Sequence, residues 1–262
     1  GGAAVAAALA DSAIRIVATM LVDDDVARDL ADRYATAAGP ARPLLGRIIA
    51  SEPHGTTLEI TGLASDASPM TARLASAGRH NAANVLGVAG AAAALGVDAG
   101  SVVEALGSFA GVGRRLERKG EAGGVVVYDD YGHHPTAIRE TVLAVRQREP
   151  GRRVWAVYEP LTYHRTAALL PAFADALATA DGVVVADIWA GRDPDTTVAS
   201  AAGLAEAVAR VRPDIPVAAP GSVDATADWL AGEVRDGDAV LVMGGGHSYR
   251  IAEGVLQRLS EG

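Results

Sequence analysis

GGVVVYDDYG at residues 123–132, RRVWAVYEP at 152–160, DGVVVADIWA at 181–190 and DAVLVMGGG at 238–246 decide how the chain folds. Each is a short apolar run of strand length without the polar alternation of a half-exposed strand, so each predicts a strand covered on both faces. IPVAAPG at 215–221 is a fifth such run. Between them lie PTAIRETVLAVRQRE (135–149), AALLPAFADALATA (167–180) and SAAGLAEAVARVRP (200–213), which carry apolar residues at helical spacing. Strands alternating with helices predict a mainly parallel sheet with ligands at its carboxyl edge. Asp129, Asp130, Glu159, Asp187 and Gly244 fall at that edge.

The part before residue 113 reads differently. IRIVATMLV (14–22) has strand character, and DDDVARDLADRYATAAG (23–39) places Val26, Leu30 and Tyr34 at helical spacing. LLGRIIASEPHGTTLEITG (44–62) reads as paired strands turning at Pro53 and Gly55, and PMTARLAS (69–76) as a further extended segment. HNAANVLGVAGAAAALGV (80–97) and AGSVVEALGSFAGV (99–112) predict two helices in tandem, a hinge between lobes.

Composition narrows the function. The 262 residues suffice for two lobes, and half are hydrophobic while 4% are aromatic, so Ala, Val, Leu and Ile must build the core. The net charge of −9 argues against a nucleic-acid partner. With no cysteine there is no disulfide, thiolate metal site or cysteine nucleophile, which suits a cytoplasmic protein. The Ala-rich start is broken by Asp11 and Arg15 and reads as neither signal peptide nor membrane span. Of the 23 basic residues, Lys119 alone is lysine.

Four polar clusters carry the candidate chemistry. Asp129 to Ile138, DDYGHHPTAI, could hold a ribose hydroxyl pair, stack on a base or act as acid and base; it also suits a plain helix entry with Pro135 in the first turn. In EPLTYHRT (159–166), Arg165 could grip a carboxylate or phosphate, or be a solvated surface group. The glycines of MGGGHSYR (243–250) could leave N–H groups open to an anion, or simply join strand to helix. In HNAAN (80–84), Asn81 and Asn84 share a helical face and could read an adenine edge, with capping as the alternative.

Six stretches taken in order, GRHNAANVLGVAGAAAALG (78–96), FAGVGRRLERKG (109–120), VVYDDYGHHPTAIRETV (126–142), YEPLTYHRTAAL (158–169), ADIWAGRD (186–193) and VLVMGGGHSYRIAEGVL (240–256), resemble the Mur ligases of cell-wall peptide synthesis, the alanine-adding branch most of all. The resemblance implies an α/β fold: a partial central-domain lobe over 1–79, the helical hinge over 80–112 and a Rossmann-like carboxyl-terminal domain over 113–262. It implies an ATP- and Mg²⁺-dependent reaction in which a carboxylate becomes an acyl phosphate and an amine displaces the phosphate. His80, Asn81 and Asn84 would face adenine, Asp130 would hold the ribose, and Tyr131 would lie near the nucleotide. His133, Thr162, Tyr163 and Arg165 would surround the incoming amino acid, with His133 and Arg165 nearest the chemistry.

Two departures accompany this resemblance. The alanine-adding enzymes usually carry His-Arg where Leu161-Thr162 stand, which opens the reading to another amine or a natural-product amide. The family's P-loop needs a lysine on the phosphates, and Lys119 in ERKGE is not in such a motif. The expectation is therefore the carboxyl-terminal half of a ligase, with a partner chain supplying the P-loop and the UDP-sugar domain. A nucleotide- or amino-acid-binding regulatory protein is the alternative, and ATP-independent acyl chemistry on His133 or His134 a third. No metal ligand is assigned.

Overall fold

The computed structural model describes residues 17, 19–22, 29, 43–64, 68–191 and 193–261. The chain divides into two compact units, Gly1–Ala110 and Gly111–Gly262. The helix expected over 23–39 lies outside the described residues apart from Asp29.

In the first unit, β1 (Thr19–Leu21) pairs parallel with β2 (Leu44–Glu52), which pairs antiparallel with β3 (Gly55–Thr61), and β3 with β4 (Met70–Leu74). The Pro53-His54 turn closes the β2–β3 hairpin, as the punctuation of that stretch predicts. Helix α1 (Arg79–Ala94) and α2 (Ala99–Ser108), the segment read as a hinge, belong to this unit. Leu86 of α1 packs with Leu44, Leu58, Ile60 and Leu74 of the sheet and with Val102 and Leu106 of α2. The approach is close enough that a Cβ on Gly46 would lie 2.4 Å from Leu86 Cδ1, so any larger residue there would require Leu86 to move.

The second unit is a six-stranded sheet in the order β5-β6-β10-β7-β8-β9. Its strands are β5 (Glu117–Ala122), β6 (Val125–Asp130), β7 (Arg153–Glu159), β8 (Gly182–Ala186), β9 (Val217–Gly221) and β10 (Asp238–Gly244). Five run parallel, and β5 lies antiparallel on the edge beside β6. The five apolar runs of the sequence are the five parallel strands. The helices are α3 (Pro135–Arg148), α4 (Tyr163–Ala168), α5 (Leu170–Leu177), α6 (Ala201–Val211), α7 (Val223–Glu233) and α8 (Tyr249–Glu261).

Strand parity sorts the core. Val125, Val127, Trp155, Val157, Val240 and Val242 face Leu230 of α7 and Ile251 and Val255 of α8. The alternate residues Val126, Tyr128, Ala156 and Tyr158 are equally buried toward the other face, where α3, α5 and α6 pack side by side. Each buried Val, Leu or Ile side chain contributes about 1.5–3 kcal/mol by leaving water, which is how a sheet with few rings is held. Because β10 is inserted between β6 and β7, the carboxyl ends of these three strands meet where the chain reverses its winding.

Candidate functional site

The two acids that end β6 inherit opposite parities, and both are buried. Asp129 lies on the α8 side. Its Oδ2 accepts from Arg114 Nε at 3.0 Å, and its Oδ1 has no hydrogen-bond partner among the described residues. Burial pushes the Asp129 carboxyl above the usual carboxylate range, and the Arg114 guanidinium opposes that rise. The same guanidinium donates to the Gly244 carbonyl at 2.9 Å and to Ser248 Oγ at 3.0 Å, so one side chain ties β6, β10 and the entry to α8 together. It also lies 5.1 Å from the Tyr131 ring centroid and 5.4 Å from that of Tyr249.

Asp130 shapes the loop that follows. Its Oδ2 accepts from the Leu116 N–H at 2.8 Å and its Oδ1 from the Gly132 N–H at 2.6 Å, leaving roughly one lone pair on each oxygen for a ligand. Tyr131 is 37% exposed, with Arg115 reaching to 5.9 Å from its ring centroid. His133 packs edge-on against Tyr131 at 5.3 Å and places Nδ1 2.9 Å from the Tyr131 carbonyl. His134 caps α3 by accepting from the Thr136 N–H, with Pro135 in the first turn, so the helix-entry reading describes these two residues.

The glycine turn after β10 already has an anion, supplied by the chain itself. Glu159, buried at the end of β7, accepts the Ser248 N–H at 2.7 Å through Oε2. Its carboxyl is pushed above the usual range by burial, and the backbone N–H bonds from Ser248 and His247 draw it back. A Cβ on Gly246 would lie 2.8 Å from that oxygen and 2.8 Å from Trp189 Cγ, which fixes glycine at this position.

From Glu159 the chain runs into the EPLTYHRT stretch. Leu161 pairs with Trp189 beyond β8, the Thr162 N–H donating to the Trp189 carbonyl and the Trp189 N–H to that of Pro160. Thr162 has φ 64°, a left-handed conformation rarely adopted by a β-branched residue, and its side chain makes no cap for α4. Asp193 takes over that role. Its Oδ2 accepts the His164 N–H at 2.9 Å while its Oδ1 contacts His164 Nδ1, and the backbone bond holds its carboxyl below the usual range. Tyr163 and Arg165 are half-buried, and the Arg165 guanidinium has no ion-pair partner among the described residues.

Asp130, Tyr131, His133, Thr162, Tyr163 and Arg165 therefore all lie in the second unit at the ends of β6 and β7. His80, Asn81 and Asn84 lie in the first unit, in the opening turns of α1. There the Asn81 side-chain amide donates to the Ala77 carbonyl at 2.7 Å, while Asn84 is exposed. Arg114, Ser248 and the Asp193–His164 pair were not singled out in the sequence as site residues. An arginine in a charged edge segment and an aspartate in a loop carry no local signal of what they meet.

No group of three or more His, Asp or Glu among the described residues is arranged to hold a metal ion. No helix of the described residues is long and apolar enough to cross a membrane.

Comparison with known proteins shows the family and the fold to which the chain is similar. A family model described as Mur ligase, glutamate ligase domain, matches residues 114–246. A UDP-N-acetylmuramate–L-alanine ligase of Mycolicibacterium gilvum is 38% identical over 246 residues, covering 90% of this chain and 50% of that protein. One from Clostridium novyi is 37% identical over 181 residues, 69% of this chain and 39% of that one. The chain thus spans about half the length of the curated relatives it matches. Among solved structures, the UDP-N-acetylmuramate-alanine ligase of Thermotoga maritima superposes with TM-score 0.66 at 18% identity, covering 87% of this chain and 50% of that one. The folylpolyglutamate synthase of Mycobacterium tuberculosis, complexed with ADP and AMPPCP, gives 0.60 at 19% identity, covering 98% and 59%. The expected α/β fold is the one observed, and by sequence the chain belongs to the Mur ligase family.

Proposed function

We propose that this chain forms the amine-accepting half of an ATP-dependent carbon–nitrogen ligase and works with a P-loop supplied from outside these 262 residues. The observation that carries the reading is Arg165: a half-buried guanidinium without an ion-pair partner among the described residues, at the ligand edge of a Mur-type sheet. Such a group is suited to the carboxylate of an incoming amino acid, which it would hold bidentately.

The remaining residues divide the work. Arg165 orients the amine by its carboxylate, so that attack on an acyl phosphate becomes effectively unimolecular. Tyr131, exposed and flanked by two guanidinium groups, offers a face for the nucleotide. Arg114 and Asp130 hold the loop that presents Tyr131. Magnesium bound with ATP would neutralise phosphate charge, and its protein ligands would come from the P-loop part.

Calorimetric titration with ATP and magnesium tests the nucleotide side. Asp130→Ala is a poor control because it releases the Leu116 and Gly132 amides, whereas Tyr131→Ala removes an exposed ring. Loss of about 1 kcal/mol of ring contact raises Kd roughly fivefold. Identical titrations of wild type and Tyr131→Ala would overturn the assignment of this face.

A further inference from the structure

We propose that His164, held by Asp193, is the base that takes the proton from the attacking amine. The proposal deepens the ligase reading above and rests on it.

The pair is built asymmetrically. The Asp193 side chain is 6% exposed and that of His164 56% exposed, so a buried carboxylate carries a solvent-facing imidazole. An ionised carboxylate can only accept, so its contact with His164 Nδ1 assigns the proton to that nitrogen and leaves Nε2 as the acceptor. The second Asp193 oxygen accepts the His164 N–H and fixes the backbone that carries the ring. This is the arrangement by which a carboxylate sets both tautomer and orientation of a catalytic imidazole.

Asp195, whose Oδ1 is engaged by the Thr197 N–H and hydroxyl, is a second carboxylate in the field of His164. Arg165 is the next residue, so the group proposed to fix the amino acid's carboxylate and the group proposed to take its proton share one turn of α4. In the step, the free amine attacks the acyl carbon and the C–N bond forms. A proton on that nitrogen passes to His164 Nε2, and the C–O bond to phosphate breaks with its electron pair leaving on phosphate.

Substitution His164→Gln removes the imidazole but keeps the backbone N–H that Asp193 accepts, so the cap on α4 survives. The assay uses the chain joined to the amino-terminal half of the Mycolicibacterium gilvum relative as the P-loop source. Two products are followed: amide from an amino acid, and hydroxamate from hydroxylamine, whose nitrogen in the adduct is acidic enough to give its proton to water without a base. The proposal predicts that His164→Gln lowers the amide rate about 100-fold, as expected for losing a general base, and leaves hydroxamate within about twofold. Asp193→Asn, which weakens the hold on the ring, should lower amide about tenfold with hydroxamate again spared. Wild-type amide rates in both variants, or equal loss of both products, would overturn the role of His164. Absence of hydroxamate from the wild-type assembly would instead overturn the ligase reading.

Discussion

Replacing Arg114 by Met tests whether the strand ends are held by one guanidinium. The substitution keeps an apolar stem and deletes the bonds to Asp129 Oδ2, the Gly244 carbonyl and Ser248 Oγ. It leaves the buried Asp129 carboxylate with neither oxygen paired among the described residues. Removing one partner of a fully buried ion pair costs about 3–5 kcal/mol. Arg114 is 28% exposed on its side chain, which lowers the expectation to about 2–3 kcal/mol. For a unit of about 150 residues that is a fall in Tm of roughly 5–10 °C. All three tryptophans, Trp155, Trp189 and Trp229, lie in the second unit, so their fluorescence during thermal unfolding reports this unit selectively.

The pH dependence carries a sign. Asp129 already titrates above its ordinary range because it is buried, and losing Arg114 raises it further. A folded group with a raised pKa binds more protons than its unfolded counterpart, so stability falls as pH rises through that range. The deficit of Arg114→Met should therefore be largest at neutral pH and shrink as the solution becomes acidic. Adding Asp129→Asn should recover about 1 kcal/mol or more by removing the stranded charge. A Tm within about 2 °C of wild type, or a deficit that ignores both pH and Asp129→Asn, would refute the reasoning.

Three further outcomes follow from the same region. Gly246→Ala should cost about 1–3 kcal/mol, read by the same fluorescence melt, because its methyl would press on Glu159 and Trp189; an unchanged Tm would contradict the tight packing. Thr162→Gly should stabilise by about 1 kcal/mol, since glycine adopts φ 64° without the penalty of a β-branched side chain, and a lower Tm would show that Thr162 has another hold. Arg165→Ala should leave the melt unchanged within about 2 °C while abolishing amino-acid binding by calorimetry; a large loss of stability would make Arg165 a structural residue.

How much was legible in the sequence follows from how local each signal is. The five parallel strands were readable because a doubly covered strand must be apolar throughout. Strand β5 was not, because ERKGEA is a charged edge with the composition of a loop, as edge strands that resist further pairing often are. Asp130, Tyr131 and Arg165 stood out because they follow apolar runs. The partners that decide their environment did not. Arg114 reaches Gly244 and Ser248 across more than a hundred residues, and Asp193 meets His164 from the far side of β8. Glu159 was placed correctly at the strand end, but that its carboxylate fills the anion position of the glycine turn depends on β7 and β10 being neighbours.

The measurement that tests the central claim most directly is ADP release by the chain joined to the amino-terminal half of the Mycolicibacterium gilvum relative, supplied with ATP, magnesium, that relative's acyl substrate and a panel of amino acids. The account predicts release that depends on at least one amino acid and is abolished by Arg165→Ala in a normally folded assembly. A folded assembly that releases no ADP with any amino acid, or releases it equally with Arg165→Ala, would contradict it.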